Sequence, residues 1–206
     1  MRTRWSFLPL ILLISGCASV AQYHSDYIAP QLSNMPATIP GKALVVTNPV
    51  YDEKPYTFHP SSLTGSASTF EIKLGRFLRE ITLSVFSKRF EEGAEHAAEV
   101  PTTSSYAIVV TPEILDFDYR YNQLKNLGFA VTPEVKIELY ARFYDATGKK
   151  LFEKKYASEY RSGGSYVMSL NPPERINHST HTTLTELAVL IANDAGAYIS
   201  SIKTDK

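Results

Sequence analysis

Between positions 70 and 85 the apolar residues Phe70, Leu74, Phe77, Leu78, Ile81 and Val85 recur at steps of three and four, which gathers them on one face of a helix. Lys73, Arg76, Arg79, Glu80 and Lys88 fall mostly on the other face. Ser68-Thr69-Phe70-Glu71 has the spacing of a capping box, so the helix is expected to start there and to run until Gly93. The period then changes to two. In residues 106–121 Leu115, Phe117, Tyr119 and Tyr121 alternate with Asp116, Asp118 and Arg120, and Pro112 divides this strand region in two at an edge or bulge, because proline cannot donate to a ladder. Val135, Ile137, Leu139, Ala141 and Phe143 alternate with Lys136, Glu138, Tyr140, Arg142 and Tyr144, a strand with one buried and one wet face. Asp145-Ala146-Thr147-Gly148 reads as a tight turn into a further strand over 150–160, which completes a three-stranded meander. Helical spacing returns with Leu184, Leu187, Ala188, Ile191, Ala195, Tyr198 and Ile202. Ahead of all this, residues 42–47 form a short apolar run ended by Asn48-Pro49, read as a buried strand, and 56–59 is a weaker one. The order predicts an α+β two-layer sandwich: a mostly antiparallel sheet of four or five strands with two long helices on one face.

The amino end has a different pattern. After Arg2 and Arg4, residues 5–14 are apolar but too few to span a bilayer permanently, and the run closes at Leu13-Ile14-Ser15-Gly16-Cys17. This reads as an export signal, and the closing motif resembles the lipobox of bacterial lipoproteins. The resemblance implies cleavage before Cys17, a diacylglyceryl thioether on its sulfur and acylation, such as palmitate, of its new amino group. Ala18 in place of Asp implies delivery to the outer membrane, facing the periplasm. Three parts follow: 1–16 as signal peptide, 17–41 as a lipidated tether with Pro30, Pro36 and Pro40 among small polar residues, and 42–206 as one periplasmic α+β domain. Fully extended, such a tether would reach about 70 Å from the lipid.

Composition narrows the partners. Two of the 21 basic residues, Arg2 and Arg4, leave with the signal, so 19 remain against 21 acidic ones. No concentrated basic face is visible, which argues against nucleic acid. Cys17 is the one cysteine; once lipidated it leaves no thiol for disulfides or thiolate metal chemistry, and no cofactor is expected. Thirteen tyrosines suit surfaces that are partly wet and partly in contact.

Catalytic signals are sparse. There is no Gly-x-Ser-x-Gly elbow, phosphate loop, dinucleotide fingerprint or His-Glu-x-x-His pair. His178-x-x-His181 could share a face, but it lacks an evident third ligand and reads as a solvent-exposed pair at a helix start. His24 falls in the tether, and His59 and His96 near loops. Asp116 and Asp118 share a strand face, read as a solvated face balanced by Arg120 and lysines. Tyr119, Tyr121, Tyr140 and Tyr144 either line a groove or pack beneath helices. Two loops suggest contact: 122–132, with Leu124, Leu127, Phe129 and Val131 around Gly128, and 161–174, with Tyr166, Val167, Met168 and Leu170 after Gly163-Gly164. Leu124, Leu127, Phe129, Val131, Tyr166 and Met168 are therefore candidate contacts for a partner or a lipid, unless these side chains fold back onto the domain.

The order of lipidated tether, strand, long helix, meander closing at an Asp-x-x-Gly turn and carboxy-terminal helix resembles small envelope lipoproteins, namely the ABC-type transport auxiliary lipoproteins and the lipopolysaccharide-assembly lipoprotein. The likeness covers about residues 42–202 and is one of architecture. It implies a non-enzymatic accessory or assembly subunit of an envelope transport system, with a periplasmic lipid carrier or chaperone as the alternative. A hydrolase would require a Ser, a His and a carboxylate to meet in a cleft.

Overall fold

The computed structural model describes residues 18–62, 68–122, 132–162 and 172–204. Its chain order is β1 (Ala18–Val20), a 3-10 turn (Ser25–Tyr27), α1 (Ala29–Leu32), β2 (Ala43–Val46), α2 (Pro49–Asp52), β3 (Tyr56–Phe58), β4 (Thr69–Ile72) and α3 (Leu74–Arg89). It continues with β5 (Ala94–Ala97), β6 (Ile108–Asn122), β7 (Thr132–Tyr144), β8 (Lys150–Ala157) and α4 (Pro172–Thr204). The α+β class holds. Five strands lie in the order β5-β2-β6-β7-β8, and a smaller sheet in the order β1-β4-β3. Pairing in the large sheet is mixed: β2 is parallel to both β5 and β6, while β6, β7 and β8 form the expected antiparallel meander.

Both long helices cover one face of that sheet. Phe77, Ile81, Val85 and Phe86 of α3 and Leu184, Ala188, Ile191 and Ala195 of α4 are buried with Val45, Val110, Ile137, Leu139 and Phe143 in one core. The helices run side by side in the same direction: Phe77 meets His181 near their starts, ring centroids 4.7 Å apart, and Arg89 donates to Asn193 Oδ1 at 2.8 Å near the other end. A smaller cluster of Leu44, Val46 and Val109 lies on the opposite face. At the meander turn Gly148 adopts φ +77°, and Asp145 Oδ1 accepts from the amides of Thr147 and Lys149.

Three expectations need correction. Residues 69–72 form a strand, and the helix starts at Leu74 with no side-chain cap. Phe70 and Ile72 alternate with half-buried Thr69 and Glu71, and β4 is held between a parallel and an antiparallel neighbour; two ladders outweigh the two bonds a capping box offers. Pro112 does not split β6, which is continuous, with its irregularity lying between Ile114 and Asp116. Residues 18–41 do not extend as a tether. They carry β1, the 3-10 turn and α1, and bury Ile28, Leu32 and Ile39, the last against Gly196 of α4. Their scattered apolar residues show no period because each one meets a different neighbour.

Candidate ligand cavity

β2 ends at Val46 and pairs with β6 only as far as Val110, yet β6 continues to Asn122. Farther along the same edge the chain returns: Ser61 N–H donates to Tyr119 O and Tyr121 N–H donates to Ser62 Oγ, each at 2.9 Å. Between these two attachments the sheet has a notch, and a cavity of about 630 Å³ occupies it. Its apolar walls come largely from three elements. Leu74 and Leu78 descend from α3, Tyr56 and Phe58 from β3, and Ile114 and Phe117 from β6. Tyr51 and Leu115, 56% and 49% exposed, make the mouth apolar as well. Thr111, Glu113 and Arg142 line the outward side, where Arg142 donates to Glu113 at 3.2 Å. Thr111 Oγ1 is buried there and has no hydrogen-bond partner among the described residues. Pro112, lacking an N–H, and the bulge after Ile114 blunt this edge against strand addition, which leaves the notch suited to a small guest.

The wall nearest β2 is fastened by charge. Asn48 caps α2 by accepting from Val50 N–H, and α2 turns Asp52 inward until it is 2% exposed. Asp52 Oδ2 accepts from Arg79 Nη1 at 2.9 Å and from Thr47 Oγ1 at 2.8 Å, and Thr47 Oγ1 also lies 2.9 Å from His96 Nε2. A threonine, a histidine and an aspartate have thus converged, but in the wrong order for nucleophilic catalysis. The one hydroxyl proton goes to Asp52, so His96 must present Nε2–H to Thr47 and cannot accept its proton. Asp52 is already occupied by Arg79. The chain Arg79–Asp52–Thr47–His96 is a strut tying α3, α2, β2 and β5 together.

This strut depends on close approach. A Cβ on Gly75 would lie 2.5 Å from Tyr51 O and 2.8 Å from Asp52 Cα, both backbone atoms. Gly75→Ala is therefore expected to push α2 outward and to cost about 1–3 kcal/mol in spite of alanine's better helix propensity, as overpacking does. A urea midpoint equal to or above that of the unmodified protein would show that α2 moves aside freely.

A second cluster forms where the amino-terminal segment meets α4. His181, expected in solvent, is fully buried, because α4 begins at Pro172 and carries position 181 well inside the helix. Its Nε2 accepts from His24 N–H at 3.0 Å, and its Nδ1 faces Asn177 O at 2.8 Å. Those partners settle the tautomer: neutral, with the proton on Nδ1. Tyr23, Tyr27 and Phe77 surround the ring. Burial pushes its pKa from 6.5 down to about 4. Asn177 Nδ2 donates to Gln22 O at 2.9 Å, a second stitch to the same segment.

The other sequence candidates separate. Tyr119 and Tyr121 are core residues, and burial raises Tyr119 to about 12, so its hydroxyl stays neutral. Tyr140 and Tyr144 are half-buried on the outward face. Asp116 is exposed, and Asp118 accepts from Tyr160. Among the described residues no group of three His, Cys, Asp or Glu could hold a metal ion. Cys17, Leu124, Leu127, Phe129, Val131, Tyr166 and Met168 lie outside the described residues. Sequence reasoning missed Asp52 and Thr47; Asn48-Pro49 was the available signal, since a capping residue followed by proline starts helices as well as ending strands.

No family model matches the chain, and no curated protein does. Among solved structures, one described as a “putative lipoprotein from Caulobacter crescentus CB15” is 15% identical, with a TM-score of 0.37, over 62% of this chain and 83% of that one.

Proposed function

We propose that this protein is an outer-membrane lipoprotein, anchored through Cys17 and facing the periplasm, that works by binding rather than catalysis and takes an acyl chain or a similarly apolar guest into the notch beside β6. The anchor rests on the sequence at 13–17, and no described helix is long and apolar enough to cross a membrane. The binding reading rests on the cavity: its volume lies within the usual range for small-molecule sites, and Tyr56, Phe58, Leu74, Leu78, Ile114 and Phe117 give it an aromatic and aliphatic floor beside a polar side that includes Thr111, Glu113, Asp116 and Arg142. Thr111 Oγ1 offers one unused hydrogen-bonding atom for a head group or ester. This favours the carrier or chaperone role. Service as an accessory subunit of an envelope transport system is compatible with it, since a carrier can hand its guest to a machine.

Native mass spectrometry of the protein extracted from membranes tests the reading. A bound lipid is expected, and Leu115→Glu, which places a charge at the exposed mouth, is expected to lose it with an unchanged circular dichroism spectrum. Equal lipid occupancy in the two proteins would remove the notch as the site.

A further inference from the structure

We propose that the pole of the domain at which Ala18 enters β1 rests directly on the phospholipid surface that holds the anchor. The inference depends on the Cys17 anchor proposed above. It starts from chain length: Ala18 is already paired with Thr69, so no free residue separates the sheet from Cys17, whose Cα is one peptide unit, about 3.8 Å, away. The pairing does not stand alone. Ala21 N–H donates to Glu71 O at 2.7 Å, Gln22 O accepts from Asn177, and His24 N–H donates to His181. Residues 18–24 are stitched to the small sheet and to α4, so a lipid at position 17 fixes which end of the domain faces the bilayer.

That end can be traced from the register. Phe58 of β3 and Ala18 of β1 flank the start of β4, about 10 Å apart across three strands. Ser61 and Ser62, just beyond β3, hold Tyr119 and Tyr121 of β6, and Asn122 pairs with Thr132 where β7 begins. Among the described residues the strand ends gathered here, 18–22, 57–62, 68–70, 121–122 and 132–133, contain no Asp, Glu, Lys or Arg, and the charges next to them include the Arg120–Glu134 pair and Arg161. Val20 among them is 64% exposed. Glu174 and Arg175, one turn before Asn177, flank the pole on α4. A surface poor in carboxylates can be pressed into a headgroup layer with little desolvation of ions, and an exposed valine gains by it.

The test uses the full lipidated chain in phosphatidylethanolamine and phosphatidylglycerol vesicles, with a fluorophore on His59→Cys or on Lys149→Cys and a nitroxide quencher on the lipid headgroups. Position 149 lies at the opposite end of β7, whose 13 residues span about 40 Å. Strong quenching at 59 with none at 149 is the expected result, and Ser19→Pro, which disrupts β1 pairing, should reduce quenching at 59. Acylated protein that floats with the vesicles but is quenched equally at both positions would overturn the orientation while leaving the anchor intact. An intact mass showing Cys17 without acyl chains would overturn the anchor and the orientation together.

Discussion

Lowering the pH from 7 to 4 should remove about 3 kcal/mol of folding stability through His181 alone, at about 1.4 kcal/mol for each unit between its unfolded value of 6.5 and its folded value of about 4. The sign follows from which state holds the proton. Above 6.5 both states are neutral and the full stability is present. Between 6.5 and about 4 the unfolded chain binds a proton that the folded chain refuses, so stability falls as pH falls, and below that range the loss is complete. The geometry explains the refusal: a proton on Nε2 would turn the acceptor of His24 N–H into a donor aimed at a donor, within a ring of Tyr23, Tyr27, Phe77, His24 and His178. Carboxylates titrate in the same range, so the measurement is a difference. Urea unfolding at both pH values is expected to show a smaller drop in His181→Leu than in the unmodified protein, by about 3 kcal/mol. Parallel pH dependence in the two proteins would mean that His181 is accessible to water and protonates freely.

Arg79→Met should be the most damaging substitution near the cavity. Asp52, 2% exposed, would keep Thr47 but lose its only cationic partner among the described residues. Removing one member of a buried pair strands the other and costs about 3–5 kcal/mol. Arg79 also bridges to Glu80 at 2.7 Å, but Glu80 is about one-third exposed and that contact contributes little. The discriminating measurement is a double-mutant cycle with Asp52→Leu. If the strut works as drawn, the double variant is more stable than Arg79→Met alone, because no charge is left buried. A single-variant cost below about 1 kcal/mol would show that water reaches Asp52 and that the wall is held by packing instead.

Long elements were legible because their periods persist. α3 from Leu74 onward, β7 and α4 each carry an apolar stripe long enough to rule out the other period, and Gly148 marked its turn by a backbone conformation that side chains resist. Short elements were not. β5 shows no alternation of buried residues, being an edge strand that β2 holds by backbone pairing and by the side-chain contacts of His96 with Thr47 and of Glu95 with Lys42. At 68–72 the local signal favoured a helix cap, and two strands remote in sequence overruled it.

What the sequence determined by itself is the class of the fold, the two helical stripes and the meander, and it is the sequence alone that offers the lipobox-like run ending at Cys17, all of which depend on spacing along one segment. The notch beside β6, the Arg79–Asp52–Thr47–His96 strut and the neutral His181 were decided by tertiary structure. Each is made by residues tens of positions apart, 157 in the case of His24 and His181. Burial and pairing between such residues have no trace in local periodicity, since they come into being only when the layers close. The same reason applies to residues 18–41: their sequence reads as a linker, and the groove between the small sheet and the helices makes them part of the domain.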